Sequence, residues 1–250
     1  MGVQKAWTAD FMRRWRKVQQ ASNAAYASIF ENPFMLRELK ADADDIRRFI
    51  GEFDRALAEN LGGDWQDEYI DPAYARGMQD GSRALRQAGI TTAIMSAEAL
   101  ATRRQSPANT DRALILRNTA KEEVQGIAAA TSQQSARIIR EGVAARANRS
   151  EILHGINGRI EHVGRTRSKI LAKTETVRAH HKAKVQMYRD EGVKEVTIMA
   201  EWVTAGDDRV CPICAPMEGR NFTLNEIEGL IPAHAGCRCS TVPVEVRNAA

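Results

Sequence analysis

The sequence predicts a mainly α protein, in which long helices precede a small α+β unit: a helix with a short β element stapled by a Cys/His zinc site. The composition favours packed helices over an all-β core, because 43% of the residues are hydrophobic but only 6% are aromatic. Apolar side chains recur at three- or four-residue steps as far as about residue 191, and they alternate beyond it. All four cysteines lie within residues 211–239. The zinc site is therefore expected in the C-terminal unit.

The first 90 residues are predicted to form three helices. A break is expected at Asn32-Pro33, where the apolar periodicity stops. The third helix is expected to begin at Asp71, which would act as its N-cap, with Pro72 at the first helical position. The predicted ranges are 1–30, 41–61 and 71–89.

The middle of the chain is predicted to be helical as well. A short helix over 91–102 and a polar loop over 103–109 are expected before residues 111–147, which fit one long helix or two. Gly126, in an alanine-rich stretch, would let another helix approach closely. Ser150 is expected to cap a short helix over 150–163, and a long helix is expected over 165–191. The adjacent histidines at 180 and 181 diverge by about 100° on a helix, so they are interpreted as surface or partner-facing groups and not as metal ligands.

Two strands are predicted near the C-terminus. Alternate residues from Val196 to Trp202 are apolar, and Arg238–Val246 is expected to form the second strand, with the Cys/His residues at its start. The predicted domains are an N-terminal helical region (1–65), a helical middle region (66–164) and the C-terminal helix plus zinc-stapled β unit (165–250). No apolar run is long enough for a membrane span, and no signal segment is recognised, so we expect the protein to stay in a reducing cytoplasm.

Two compact groups of Cys and His residues predict a structural zinc site. Cys211 and Cys214 form a C-x2-C pair, and His234, Cys237 and Cys239 form an H-x2-C-x-C group. Two chain segments that each supply two soft or borderline ligands are typical of tetrahedral zinc. Disulfide or redox chemistry and separate buried thiols are the alternatives. We expect one zinc ion per chain.

Five candidate ligands compete for four positions in this site. If Cys237 and Cys239 lie on a regular strand, they are roughly 6 to 7 Å apart along it, whereas two sulfurs on one zinc lie only about 4 Å apart. One of these two cysteines is therefore expected to be a spare thiol unless the backbone bends, and the sequence leaves open which one. The chain contains neither H-x-E before the first cysteine pair nor H-E-x-x-H, which disfavours a catalytic zinc.

Positive charge is concentrated between Arg159 and Arg189. This segment has nine Lys and Arg residues against two Glu, a net charge of +7 in a chain whose total is +4. A basic helical segment can bind nucleic-acid phosphates, although such charges also serve simply as the solvated faces of long helices. The candidate DNA-binding residues are Arg165, Arg167, Lys169, Lys173, Arg178, Lys182 and Lys184.

Three stretches carry a family resemblance: I-L-A-K-T-E-T-V-R-A (170–179), E-W-V-T-A-G-D-D-R-V-C-P-I-C (201–214) and P-A-H-A-G-C-R-C (232–239). They resemble the C-terminal motif of phage head-morphogenesis proteins, the Mu F-type minor head proteins of tailed phages and prophages. Lys173 stands where the family usually has arginine. The likeness extends over about residues 70–245, and residues 1–65 carry no recognised motif.

The resemblance implies a structural minor head protein at the portal vertex, with the portal protein, other capsid proteins and possibly phage DNA as partners. It also implies a location in the host cytoplasm during assembly and then in the virion, with neither membrane nor small-molecule substrate. A zinc-stapled DNA-binding module is the first alternative. An enzyme of nuclease or ADP-ribosyltransferase type is the second, and Glu226-Ile227-Glu228 offers such an enzyme only an isolated E-x-E.

Overall fold

The computed structural model describes residues 2–30, 43–90, 95–191 and 196–247. It contains seven α-helices and three strands over these residues, which confirms the predicted fold class. The predicted break at Asn32-Pro33 and the predicted start of a helix at residue 91 lie outside the described residues. The elements are α1 (Gly2–Phe30), α2 (Ala43–Leu61), α3 (Asp67–Gln87), α4 (Ala97–Arg104), α5 (Pro107–Ala144), α6 (Arg149–Glu191), β1 (Val196–Val203), β2 (Asn221–Thr223), α7 (Leu224–Leu230) and β3 (Ser240–Arg247).

The chain divides into two compact units, each assembled from separate segments. One, here called the helical unit, contains residues 5–65 and 119–169. The other, the mixed unit, contains residues 1–4, 66–118 and 170–250. Helices α5 and α6 contribute residues to both. The predicted domains are continuous stretches of the sequence, and their boundaries at 65/66 and 164/165 stay a prediction.

Aromatic side chains of α1 and α2 form much of the core of the helical unit. Trp7, Phe11 and Trp15 recur every four residues along α1 and are at most 1% exposed, as a core-facing helical stripe requires. Phe11 stacks on Trp15 with ring centroids 5.4 Å apart, and Phe49 stacks on Phe53 within α2. Aromatic pairs in contact stabilise a core beyond the area that they bury.

The predicted start of the third helix is wrong. Helix α3 begins at Asp67, four residues before the expected N-cap, and Pro72 lies inside the helix near its N-terminus. Asp71 has a different role, because its carboxylate accepts hydrogen bonds from the Arg117 guanidinium of α5. Asp67 is 3.7 Å from the same guanidinium. The two carboxylates thus tie α3 to α5 within the mixed unit.

The predicted polar loop over 103–109 is mostly helical. Ser96 caps α4, since its hydroxyl accepts a hydrogen bond from the Ala99 N–H. Only Gln105 and Ser106 separate α4 from α5, which runs as one helix from Pro107. The question of one helix or two over 111–147 is therefore answered as one, ending at Ala144.

The two helices predicted over 150–163 and 165–191 form one continuous helix, α6. Gly164 does not end a helix but makes room for a neighbour, because an added Cβ there would lie 2.4 Å from the Trp15 ring. The predicted N-cap Ser150 is also wrong. Asn148 is the cap: its side-chain oxygen accepts from the Glu151 N–H, and the Glu151 carboxylate accepts from the Asn148 N–H.

Helices α3 and α6 approach closely in the mixed unit. A Cβ added at Gly77 would lie 2.2 Å from the His180 carbonyl oxygen and 2.8 Å from the Ala183 Cβ. Gly126, where the sequence indicated close approach, has no such neighbour within 4 Å. Gly77 of α3 therefore makes the close contact with α6. It allows α3 to pack against this helix, which carries the sheet.

Substitution of these two glycines should have opposite effects. In an open helical position, Gly→Ala stabilises by about 0.5–1 kcal/mol, and Gly126→Ala should gain this amount. Gly77→Ala should instead destabilise the mixed unit by about 1–3 kcal/mol, because the added methyl group overpacks the α3–α6 contact. Native-state hydrogen exchange of the two variants measures both changes. Stabilisation by both substitutions would contradict the packing described here.

The three strands form an antiparallel sheet in the order β2-β1-β3. Central strand β1 pairs Met199 with Val244 of β3 and with Thr223 of β2. The predicted alternation along β1 is confirmed over its described side chains, since Ile198, Ala200 and Trp202 are at most 5% exposed. The second predicted strand begins at Ser240, two residues later than expected. Cys237 and Cys239 therefore precede the strand.

Candidate metal centre

The first half of the Cys/His cluster is a tight turn between β1 and β2. The Cys214 and Ala215 N–H groups donate to the Cys211 carbonyl oxygen at 3.0 and 2.9 Å. The same turn lowers the pKa of the Cys211 thiol to about 7, chiefly through hydrogen bonding from the Cys214 backbone. A thiol with a lowered pKa is more readily available as the thiolate that metals bind. Burial has the opposite effect on Cys214, whose thiol pKa it raises well above the ordinary value.

The second half of the cluster is the turn from His234 to Cys239. The Cys237 N–H donates to the His234 carbonyl oxygen at 3.1 Å, and Gly236 adopts a positive φ of 77° that few other residues tolerate. The His234 Nδ1 lies 3.0 Å from the Ala235 carbonyl oxygen, which assigns the proton to Nδ1. Nε2 then keeps its lone pair, as a metal-binding imidazole requires.

The two halves converge on the Cys214 sulfur. His234 Nε2 lies 3.1 Å from the Cys211 Sγ and 3.3 Å from the Cys214 Sγ, and the Cys214 and Cys237 Sγ atoms are 4.0 Å apart. Cys211, Cys214 and His234 form one group of donor atoms within 4.8 Å of one another, and Cys214, Cys237 and Cys239 form a second. Two ligands of one tetrahedral zinc are separated by about 3.5–4 Å. The five residues predicted from the sequence therefore lie together and can hold a metal such as zinc.

Joint use of Cys237 and Cys239 was disfavoured on the assumption that both lie on a regular strand. That assumption is wrong, because β3 begins only at Ser240 and the two sulfurs lie within 4.8 Å of each other. The bend in the preceding turn brings them closer than the roughly 6–7 Å of an extended strand. Backbone geometry therefore permits either cysteine, and the choice depends on what surrounds each sulfur.

Two contacts hold the cluster in place. The Thr174 hydroxyl of α6 accepts a hydrogen bond of 2.9 Å from the Gly236 N–H, which attaches the His234–Cys239 turn to the long helix. Asp207 accepts two hydrogen bonds from the Arg238 guanidinium, and this pairing holds the pKa of the Asp207 carboxyl far below its usual range. The Asp207–Arg238 pair joins the chain before the first cysteine pair to the chain between Cys237 and Cys239. It was not predicted as part of the site.

The segment between the two halves of the cluster is more ordered than the sequence reading suggested. Residues 215–233 contain β2 and α7, and neither element was predicted from the sequence. A capping box starts α7: the Thr223 hydroxyl accepts from the Glu226 N–H, and the Glu226 carboxylate accepts from the Thr223 N–H. The T-x-x-E pattern before an apolar run was the signal that could have found this helix.

The cysteines form a large part of the core around the sheet. The buried cluster there has eight residues, and three of them are cysteines: Val185, Ala200, Trp202, Cys214, Ile227, Ile231, Cys237 and Cys239. Six partly buried hydrophobic side chains pack against this cluster. A small core in which cysteines are this frequent usually needs a metal or a disulfide. The cavity at the cluster has a volume of only about 50 Å³, whereas small-molecule sites measure about 300–1,000 Å³. This geometry fits an enclosed ion and not a substrate.

The adjacent histidines on α6 do not belong to the cluster. His180 Nε2 lies 3.0 Å from the Asp80 carboxylate of α3. The prediction that His181 is a surface or partner-facing group is wrong. Its side chain is 2% exposed, and its Nε2–H donates to the Ile227 carbonyl oxygen at 3.0 Å. Its Nδ1 is buried with no hydrogen-bond partner among the described residues. Burial lowers the pKa of His181 to about 4, so the folded protein holds this ring neutral.

Stability of the mixed unit should therefore fall in mild acid through His181. The unfolded chain takes up a proton near the ordinary pKa of about 6.5, whereas the folded chain resists protonation down to about pH 4. The contribution is fully present above pH 6.5, declines from there to pH 4 and is absent below. Between pH 6.5 and 5.5 the loss should be about 1 kcal/mol.

Urea denaturation at these two pH values, in zinc-saturated buffer, measures the effect. His181→Gln should remove about 1 kcal/mol of the pH dependence, because glutamine does not titrate. His154 is exposed on α6, and His154→Gln is the matched control for the substitution itself. An identical pH dependence in wild type and His181→Gln would refute this account of His181.

The predicted DNA-binding residues differ in exposure. Arg165, Arg167 and Lys169 are exposed and lie in the helical unit. Arg165 pairs with Glu161 on the same helix. The remaining four lie in the mixed unit, where each is half-buried or buried: Lys173, Arg178, Lys182 and Lys184.

The four candidate residues in the mixed unit are paired with other side chains or partly or fully buried. Arg178 pairs with the buried Glu175 at 2.7 Å, and Lys182 lies 3.8 Å from Glu228. Burial lowers the pKa of Lys173. Lys184 is 8% exposed and donates to the Ser240 hydroxyl and to the Thr241 carbonyl oxygen of β3. Lys184 thus attaches α6 to β3. The three exposed residues of the helical unit are the better candidates for contact with DNA.

Fold and cluster together define a class: a helical protein whose last long helix supports a small sheet closed by Cys and His side chains. Residues 133–242 match the family described as phage Mu protein F like protein, a family of phage head-morphogenesis proteins. The chain thus carries a Mu F-like domain, which includes the whole of α6 and the whole Cys/His cluster. The match starts further along the chain than the resemblance over 70–245. No curated protein and no solved structure shows significant similarity to the chain.

Proposed function

We propose that this chain is a structural minor head protein of a tailed phage or prophage, which acts in capsid morphogenesis at the portal vertex. The match of residues 133–242 to the Mu F-like family carries this proposal. The fold of the matched segment supports the proposal, because α6 carries the small sheet and the Cys/His cluster is enclosed. Across the described residues, no helix has the length and apolar character needed to cross a membrane. The partners of this chain would be the portal protein and other capsid proteins. The chain would be present in the virion after assembly in the host cytoplasm.

The role proposed for the cluster is structural. One zinc ion, bound by Cys211, Cys214, His234 and one or both of Cys237 and Cys239, would link the two halves of the sheet region and stabilise its small core. The ion would supply folding free energy and no chemistry on a substrate. The surrounding contacts support this, because Thr174 and Asp207 hold the two turns and leave the cavity small.

An enzymatic role has little support at the candidate residues. Glu226 is occupied by the capping box of α7, and the Glu228 carboxylate pairs with Arg189 at 2.7 Å. Both are therefore used within the fold, whereas catalytic carboxylates must face a substrate. We propose that the chain is not an enzyme. Assays for nuclease and ADP-ribosyltransferase activity should give no activity above a buffer control.

Association with the portal protein tests the proposed function. The purified full chain should bind the portal protein of the phage or prophage that encodes it, in pull-down and in size-exclusion chromatography. Purified virions should contain the chain as a minor component. Binding to arbitrary DNA together with no portal association and absence from virions would favour the alternative, a zinc-stapled DNA-binding regulator.

DNA contact is a second, separable proposal, supported by exposed Arg165, Arg167 and Lys169. Affinity for duplex DNA should fall steeply with salt, because each phosphate contact contributes about 0.9 to the slope of log K against log salt. Changing these three residues to glutamine should lower the slope by up to about 3. A matched triple change at exposed Arg47, Arg55 and Arg137 should leave it unaltered. Equal slopes for wild type and the first variant would refute the assignment.

A further inference from the structure

The cavity at the cluster distinguishes the two competing cysteines. Four of the five candidate ligands line it: Cys211, Cys214, His234 and Cys239. Cys237 is not among the residues that line it, and its side chain is 1% exposed within the small core. A ligand must direct its donor atom at the ion, so the cavity favours Cys239 over Cys237 as the fourth ligand.

Trp202 gives an independent reason to select Cys239. Its indole Nε1 is buried, and no group among the described residues meets it at full hydrogen-bonding geometry. A buried N–H without an acceptor costs free energy. The Cys239 side chain lies beside this indole in the same buried cluster. A metal-bound thiolate at Cys239 would be the acceptor that this indole lacks.

Cys237 is placed to act on a ligand without binding the metal. Its sulfur lies 4.0 Å from the Cys214 sulfur, within the reach of a hydrogen bond between sulfur atoms. The same distance would also suit two ligands of one zinc, so it does not assign Cys237 by itself. If Cys214 is a metal-bound thiolate, it has no proton to give, and Cys237 must be the S–H donor.

We infer that Cys211, Cys214, His234 and Cys239 bind the metal, while Cys237 is not a ligand and its thiol donates a hydrogen bond to the Cys214 sulfur. This inference rests on the metal site put forward under Proposed function. It gives the surplus cysteine a positioning role, because a donor to a ligand sulfur fixes that sulfur's orientation and lowers its charge.

Cobalt substitution of the full-length protein tests the assignment. Cobalt(II) bound by thiolates shows charge-transfer absorption that grows with the number of sulfur ligands, and the wild type should show three. Cys239→Ser should lose about a third of this intensity, because one of three soft ligands is replaced. Cys237→Ser should retain the wild-type intensity, even where its metal affinity drops by about tenfold through the lost hydrogen bond. Cys237→Ala serves as a second variant if serine in this apolar core prevents folding.

Each outcome decides the matter. Loss of intensity in Cys239→Ser alone supports the assignment. Loss of intensity in the Cys237 variants alone, in the variants of both cysteines, or in none of them overturns it. Wild-type protein that binds no cobalt overturns the metal site itself and this assignment with it, so the two failures are distinguishable.

Discussion

Cys214→Ser is expected to abolish metal binding and to unfold the sheet region, residues 196–247. Cys214 is 2% exposed, and it belongs to both groups of donor atoms in the cluster. Structural zinc contributes about 10–16 kcal/mol in zinc-finger peptides, which is as large as the whole stability of an ordinary domain, about 5–15 kcal/mol. The few apolar side chains around the sheet should not compensate for such a loss.

Hydrogen exchange resolved by segment measures this effect. Exchange protection should disappear over residues 196–247 and persist over residues 5–30 of the helical unit, whose core contains no cysteine. Ile213→Ser is the matched control, because Ile213 lies between the two cysteines of the first turn but is 62% exposed. It should keep both zinc and protection. Full protection of the sheet in Cys214→Ser would show that the cluster does not stabilise this unit.

Trp15→Ala should be the most damaging substitution in the helical unit. Trp15 is 1% exposed, stacks on Phe11, packs against Gly164 of α6 and donates its indole N–H to the Ile160 carbonyl oxygen. Removal of a buried tryptophan costs about 3–5 kcal/mol. Because α1 meets α6 at this residue, the loss should increase hydrogen exchange over residues 5–30 and over residues 149–169.

Trp15→Phe separates the ring from the hydrogen bond. Phenylalanine keeps the stack on Phe11 but has no N–H for Ile160, and a lost hydrogen bond of this kind costs about 0.5–1.5 kcal/mol. We expect its destabilisation to be well below that of Trp15→Ala in the same exchange experiment. Equal and small effects of the two substitutions would show that the α1–α6 contact has little importance for this unit.

The sequence was sufficient for the fold class and for the members of the cluster. Helical and alternating periodicity located most elements, since each apolar stripe must face a core. The five candidate ligands could be named because Cys and His at knuckle spacing have few other uses in a reducing compartment. Local signals were nevertheless misread where a tertiary contact competed with them. Asp71 and Pro72 resemble a helix start, but the carboxylate is used to bind Arg117 and the helix begins earlier.

Other features could not be read from the sequence because they depend on residues far apart in the chain. Gly164 resembles a helix stop and is instead a contact for Trp15, about 150 positions earlier. Lys184 counts as positive charge in the sequence but is buried against β3. The spacing predicted between Cys237 and Cys239 was wrong because the chain turns before β3 begins, and only the folded backbone shows this.

The metal content of the purified full chain tests the central claim most directly. Native mass spectrometry of wild type, before and after acid denaturation, counts the ions bound to each chain. The account predicts one zinc ion per folded chain, no bound zinc after denaturation, and none in Cys211→Ser or Cys214→Ser. Folded, metal-free wild type with the same stability in the presence and absence of a chelator would contradict it.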